Sequence, residues 1–407
     1  MFADSVRRDF VTKKDSLVPL KMLLFSFHGA NTMIISFLPL LLQYKGLSGK
    51  EIGWVLAVGP TVSIVAQPFW GYMSDKYQTV KRILMMCLIG LLISSSIFFQ
   101  MTTLPLLLVL AGVFYFFTAP IGALADSLSQ RRADALNISF GTIRTWGSMG
   151  FATSSLLVGE LLGVIGIQYL IAPYLFMGGM ALLVCFKLTD VKVDVDPIQF
   201  RDLKKLVKNY PFIIFLALVL LITITHRAND SFIGIFITQL GGNEGLIGLA
   251  WFVGVASEAL VFAFAGFWFR KFHPLIFIIG AGALYAIRWF LYAFIDDPMF
   301  VVLLQFLHGL TFGIFYLSAF QYVTRLIPRV LQSTGHLVFM AVFFGISGII
   351  GSLGGGALID TMGGNSLYFY MGFLALVGTI LIIVYHLLPY GKEVKKSNST
   401  VERNKNG

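Results

Sequence analysis

Charge is scarce in this chain. Asp, Glu, Lys and Arg make up 12% of its 407 residues, against 57% that are hydrophobic, and a soluble globule with so little charge could not cover its surface. Cysteine is nearly missing: Cys87 and Cys185 both sit inside apolar runs, where a thiol behaves as a small hydrophobe with no role of its own. No His/Cys set has metal-ligand spacing, no nucleophile–base pair stands out and no nucleotide loop is present, so neither an enzyme nor a cofactor is expected. The Gly-rich stretches GSMGFATSSLLVG (147–159) and GISGIIGSLGGG (345–356) lie within long apolar spans and lack a following Lys-Ser/Thr. They read as helix-packing faces rather than phosphate cradles.

What is abundant is apolar sequence in long runs. A hydrocarbon core of about 30 Å takes roughly 20 helical residues to cross, and the chain breaks into twelve such runs near 18–43, 50–73, 82–101, 104–126, 138–163, 167–187, 212–239, 246–269, 274–295, 299–326, 333–358 and 365–388. No cleavable leader is expected, because residues 1–17 are charged and the run after them is too long for one. Basic residues gather at one set of connections: Arg7, Arg8, Lys13, Lys14, Lys76, Lys81, Arg82, Arg131, Arg132, Arg270, Lys271, Arg325 and Arg329. The opposite set has Lys45 and Lys50 against Glu51, Glu160, Glu244, Asp296 and Asp297. The positive-inside rule therefore places both termini in the cytoplasm and accounts for most of the net charge of +10, leaving no need for a nucleic-acid partner. The charged tail KEVKKSNSTVERNKNG is expected to be solvated and disordered.

One long connection, 188–211, divides the chain six runs from six. The expected organisation is a cytoplasmic N-terminus (1–17), a first bundle (18–187), this cytoplasmic linker, a second bundle (212–388) and a tail (389–407). The halves echo each other. His28-Gly-Ala-Asn31 recurs as His226-Arg-Ala-Asn229, Gly147-Ser-Met-Gly150 recurs as Gly345-Ile-Ser-Gly348 at the same offset, and Gly71-Tyr-Met-Ser-Asp75-Lys76 has a counterpart in Gly266-Phe-Trp-Phe-Arg270-Lys271. Duplicated six-helix units in a membrane are a transporter architecture, with the site where the repeats meet.

The stretch GYMSDKYQTVKR, a Gly with an Asp four later and then basic residues, resembles the loop motif of the major facilitator superfamily. Asp126 in ALADS, Arg144 in RTWGSMGF, Glu258 in WFVGVASEALVF, Arg288 in AIRW and His308 in LHGLTFG together resemble its branch of lactose permease, nucleoside:proton symporters and the phenylpropionate permease. The chain departs from that pattern where the Gly that usually follows the loop acid is absent and Tyr77-Gln78-Thr79-Val80 precedes Lys81-Arg82. The resemblance implies an all-α membrane protein with twelve helices in two pseudo-symmetric six-helix bundles.

Counting about 1.5 Å per residue from each helix start brings Glu258, His28, Asn31, His226, Arg288 and His308 close to the membrane midplane. His226, Asn229 and Asp230 share one face of the seventh helix by their i, i+3, i+4 spacing, with Arg227 beside them. Ionisable groups at that depth belong in a cavity rather than against lipid. One set, Glu258, Arg288, His308 and Asp230, resembles the family's proton-coupling cluster; a static Glu258–Arg288 pair tying helices 8 and 9 together is the plainer alternative. For His226 and His308 a hydrogen-bonded packing role stands beside a ligand role. The second set pairs Asp126, counted to the cytoplasmic end of its helix, with Arg144 roughly 9 Å inside it. The resemblance makes Arg144 a substrate contact, and a permanent Asp126–Arg144 pair is the alternative. With Asp126 and Arg144, His28, Asn31, His226 and Asn229 form the expected substrate site. Gly71, Asp75, Lys76, Arg82 and Arg131 form an expected gating latch at the cytoplasmic face, against simple positive-inside residues. Phe114, Tyr115, Phe116, Phe117, Phe312, Phe315 and Tyr316 are packing residues from which one or two could stack on a ring.

Three acids, Asp126, Asp230 and Glu258, balance three bases, Arg144, Arg227 and Arg288. A near-neutral cavity suits a sugar or nucleoside better than a carboxylate. The expected function is a monomeric, proton-coupled symporter of the inner cytoplasmic membrane that imports a small solute by alternating access. An aromatic-carboxylate importer, a proton-driven efflux pump for amphipathic compounds and a non-transporting membrane sensor are the alternatives.

Overall fold

The computed structural model of the chain describes residues 17–190, 206, 208–268, 273–328 and 331–388. The charged N-terminal segment up to residue 16, the middle of the 188–211 linker, Arg270, Lys271, Arg329 and the tail 389–407 lie outside the described residues.

The first half contains α1 (Val18–Tyr44), α2 (Gly49–Lys76), α3 (Val80–Phe98), α4 (Leu104–Leu136), α5 (Phe140–Ile165) and, after a short 3₁₀ turn, α6 (Ile171–Cys185). The second half contains α7 (Tyr210–Gln239), α8 (Glu244–Trp268), α9 (Pro274–Ala293) and α10, which runs from Pro298–Leu304 through a π-helical turn at Gly309–Gly313 into Ile314–Leu326. The chain ends in one helical run of 54 residues, Thr334–Leu387, about 80 Å if straight and more than twice the thickness of a bilayer core. It is not straight, because Gly363 takes φ +81°, ψ 172°, a conformation open only to glycine. Before this point Gly351 packs on Ile224 and Ala228 and Gly355 on Phe232, so the arm runs parallel to α7. After it, Gly364 meets Phe236, Gly378 meets Ile222 and Tyr385 donates to Pro211 O, so the arm runs back. These arms are α11 (to residue 362) and α12 (364–387), and with them the described residues make twelve spans.

Local chemistry sets the helix ends. Ser48 and Glu51 form a capping box at the start of α2, and prolines in the first turn open α1, α4, α7, α9 and α10. At the loop where the superfamily's usual glycine is absent, Gln78 adopts φ +50° in its place. Thr79 then caps α3 through Arg82 N, and the Asp190 carboxylate accepts from Thr79 Oγ1, Val80 N and Lys81 N. Outward faces carry large exposed apolar side chains such as Leu157, Val164, Leu183 and Leu303, as expected of surfaces solvated by lipid.

The halves meet mainly at α2–α11 and α5–α8, with α1 against α7. The closest approaches lie at the end remote from the basic loops, here called the far end. There Gly53 sits under Ser352 and Gly356, and Gly248 under Ser155 and Gly159. Toward the basic end, α4 and α5 make no extended contact with α10 and α11. The structure is therefore closed at the far end and parted at the basic end.

Candidate functional site

Between the parted ends lies a band of polar side chains. In the first half, the continuation of α4 to Leu136 corrects the expectation that Asp126 ends its helix: ten further residues carry the helix about 15 Å beyond it. Asp126 thereby reaches the level of Arg144, whose Nε stands 3.2 Å from Asp126 Oδ1, both side chains about one-third exposed. Glycines let α1 approach α5: a Cβ on Gly150 would fall 2.1 Å from Phe25 O, and one on Gly147 would meet both Arg144 Nη1 and His28 at 2.6 Å. His28 is thus held against Arg144, and its Nε2 is buried without a hydrogen-bond partner. Asn31, one turn on, is half-buried.

In the second half the face read from the seventh helix exists as a set of contacts. Asp230 Oδ2 lies 2.7 Å from Arg227 Nη1 and 3.5 Å from His226 Nε2. His226 Nδ1 meets Tyr285 OH at 3.1 Å, and its ring stacks on Phe312 at 4.7 Å. Asn229, expected to contact the substrate, is 1% exposed and accepts from Tyr368 OH of α12, so it also ties α7 to α12.

Glu258 pairs with His308 Nε2 at 3.7 Å. The local reason is a helix crossing without side chains. Gly309 opens the π-helical turn of α10, its N–H donates to Ser257 Oγ at 2.9 Å, and a Cβ there would lie 2.3 Å from Ser257 O. This backbone approach sets His308 beside Glu258, and π-turns of this kind often occur at functional positions. Arg288 forms no ion pair with Glu258 among the described residues, so the static pair weighed from sequence is not what holds it. It is fully buried, donates to Gln305 Oε1, Thr311 Oγ1 and Tyr292 OH, and packs against the rings of Trp289 and Tyr292. Three neutral acceptors and two π-faces hold the guanidinium where a carboxylate was expected.

With this arrangement in view, the family model described as "MFS_1 like family" matches residues 17–370. The chain belongs to that family, within the major facilitator superfamily. It is 28% identical over 340 residues to the maltose permease of Geobacillus stearothermophilus, covering 83% of this chain and 86% of that one. It is 23% identical over 359 residues to the probable 3-phenylpropionic acid transporter of Escherichia coli, covering 86% and 90%. The solved structure of the nucleoside transporter NupG superposes with a TM-score of 0.81 at 16% identity, over 90% of this chain and 98% of the other. This MFS_1-like protein is a multi-pass membrane transporter, and not an enzyme.

In this transporter the residues expected to form a latch do not span the halves. Gly71, Asp75 and Arg131 line a cavity of about 230 Å³ between α2 and α4, inside the first half, with Gln67, Ser74 and Ser127. Lys76 turns toward the Tyr77 ring and Arg82 is exposed. Of the aromatic candidates, Phe312 and Tyr316 stack beside the site, Phe114 and Phe315 are fully buried, and Phe116 packs on Phe69 and Trp70. Sequence reasoning passed over Gln305, although a lone polar residue one turn before His308 in VVLLQFLHGL marks the same helix face. It also passed over Trp251, one residue among many aromatic ones.

Proposed function

We propose that this transporter is a proton-coupled symporter that imports a small neutral, hydroxyl-rich solute, a sugar or a nucleoside, across the cytoplasmic membrane, with its termini and basic loops in the cytoplasm. The observation that carries the coupling is the partner of Glu258. Asp126 and Asp230 each contact a guanidinium, whereas Glu258, with its side chain 22% exposed, has only the His308 imidazole as an ion-pair partner among the described residues. A proton can enter or leave Glu258 without breaking an ion pair to arginine, so this acid meets the smallest electrostatic obstacle to cycling. His308 and, behind it, His226 and Asp230 form a chain of exchangeable sites, and the crossing of α8 and α10 sets the Glu258–His308 spacing at its start.

Neutrality of the substrate follows from where the arginines are. Arg144 and Arg227 each contact an acid, and Arg288 is buried among neutral acceptors and aromatic rings, so among the described residues these three guanidinia already have partners that a carboxylate would have to displace. Instead the site presents a mixture of buried donors and acceptors without hydrogen-bond partners: His28 Nε2, Arg227 Nε and Asp230 Oδ1. Hydroxyl groups, which donate and accept, satisfy such a mixture. A maltose permease and a putative nucleoside transporter among the relatives support the same class.

Uptake of labelled maltose and uridine into proteoliposomes under an imposed inward proton gradient tests the proposal. Wild type is expected to accumulate at least one of them uphill, and Glu258→Gln to exchange it without accumulation. Uphill accumulation by the Gln variant would sink the role of Glu258, and accumulation of phenylpropionate alone would sink the neutral substrate.

A further inference from the structure

Trp251 carries a polar group that nothing in the site uses. Its side chain is 7% exposed, and its indole Nε1 is buried with no hydrogen-bond partner. Leaving a buried donor unmade is costly and uncommon in native proteins, so an orphan at one named place calls for a reason.

The place is informative. Trp251 lies on α8 and meets Phe151 of α5 edge-on, with ring centroids 5.8 Å apart at 60°, so the contact joins the two halves. It sits just inside the glycine closure, where Gly248 and Gly159 let α8 and α5 touch backbone to backbone. Toward the basic end, Glu258 follows Trp251 by seven residues and Arg144 precedes Phe151 by seven. Two turns of helix put each aromatic ring on the same face as its charged partner, about 10 Å away. The Trp251–Phe151 contact therefore lies about two helical turns from Arg144 and Glu258, on the side of the far-end closure. When α5 and α8 part at the far end, the contact breaks, and the ring faces and the indole N–H become accessible together.

We propose that Trp251 is a specificity-determining residue of the far-end-open state: its ring packs on one face of a ring of the incoming solute, a nucleobase or the C–H face of a pyranose, and its N–H donates to an oxygen carried by that ring. An aromatic face covered by a partner in one state and uncovered beside a donor in the other selects ring-shaped solutes, pyranosides or nucleosides, over acyclic polyols of equal hydroxyl count. This inference rests on the neutral-solute reading above and narrows it. The orphan N–H also makes the far-end-closed state less stable than its packing alone would, which helps the closure to reopen.

The test compares wild type with Trp251→Phe, which retains an aromatic ring against Phe151 and removes the N–H. Uptake of labelled maltose, uridine and mannitol is measured in proteoliposomes. The expected result is transport of maltose or uridine well above mannitol, with KM raised about 3- to 10-fold in the variant, as for loss of one neutral hydrogen bond, and Vmax little changed. An unchanged KM, or mannitol carried as well as the ring solutes, overturns the proposal. A substrate-independent readout keeps the two readings apart. In ultraviolet resonance Raman spectra, with Trp251→Phe subtracted to isolate this indole, the N–H is expected to be unbonded in wild type and hydrogen-bonded in Gly248→Val, which should hold the far end open. If wild type carries neither maltose nor uridine, the neutral-solute reading fails and the specificity role of Trp251 falls with it, whereas uptake with an unchanged KM in the variant overturns the role of Trp251 alone. A bonded N–H in wild type, or an unbonded one in both proteins, overturns it.

Discussion

Closure of the far end depends on the absence of β-carbons at Gly53, Gly356, Gly159 and Gly248, and adding one back should shift the conformational balance by a calculable amount. A Cβ on Gly248 would fall 2.2 Å from Ser155 O and 3.1 Å from Gly159 Cα. Both neighbours are backbone, so no side chain can swing away, and α8 must retreat from α5 by roughly 1 Å to reach ordinary contact. Overpacking of this kind costs about 1–3 kcal/mol, and the cost falls on the closed state alone, because the crossing is apart when the far end is open. At about 1.4 kcal/mol per factor of ten, Gly248→Ala should favour the far-end-open state by about 5- to 150-fold, and Gly248→Val by more. Gly163 provides the control on the same crossing, since its nearest neighbour would be Gly245 N at 3.9 Å and Gly163→Ala should change little. Spin labels at Gln43→Cys and Asn243→Cys, both exposed at the far end of opposite halves, would report the opening by pulsed electron resonance; the native Cys87 and Cys185 are buried. A longer distance population in Gly248→Ala and not in Gly163→Ala is expected. Identical distance distributions in a folded Gly248→Ala would refute the reasoning.

Arg288→Met should lower thermal stability in detergent by about 2–4 kcal/mol, because Gln305, Thr311 and Tyr292 lose one charged donor between them; full stability would show that the guanidinium is not a structural tie. Asn229→Ala should likewise reduce stability, through the lost Tyr368 hydrogen bond, while KM stays within about twofold of wild type because the side chain does not face the solute. Arg144→Lys should raise KM for the solute, since an ammonium cannot reproduce the fork that reaches both Asp126 and the His28 side; equal uptake kinetics would remove Arg144 from the site. Asp190→Ala should cost about 1 kcal/mol by uncapping α3, with uptake per folded molecule unchanged.

Spans and halves were legible because they rest on the strongest signals a sequence carries: uninterrupted apolar length and a repeated His-x-x-Asn and Gly-x-x-Gly at one offset. Positions along a helix axis were nearly as readable. The His226 and Asp230 contact follows from i, i+4 spacing, and the structure puts Glu258 beside His308 and Arg144 beside His28. Rotation about the axis was not readable. Opposite charges at similar depth suggested that Arg288 meets Glu258, but α9 turns Arg288 toward Gln305 and Thr311, where neutral acceptors and two aromatic faces meet its hydrogen-bonding needs. The same limit hid Asn229 behind Tyr368. Helix length misled once, at Asp126: ADSLSQRRADAL is polar enough to read as a loop, yet an amphipathic helix continues through it to Leu136. Trp251 stayed hidden because only its neighbours make it notable. Its signal is an indole N–H without an acceptor, which no composition or spacing can display.

The central claim is that solute and proton cross together by way of Glu258. The most direct measurement is the proton flux that accompanies maltose or uridine entering proteoliposomes down its own gradient, with no imposed pH difference. Wild type is predicted to draw protons inward as the solute enters, so that the external medium turns alkaline. Glu258→Gln is predicted to carry the solute with no such signal. A transporting wild type without external alkalinisation, or an alkalinisation that survives in Glu258→Gln, would contradict the account.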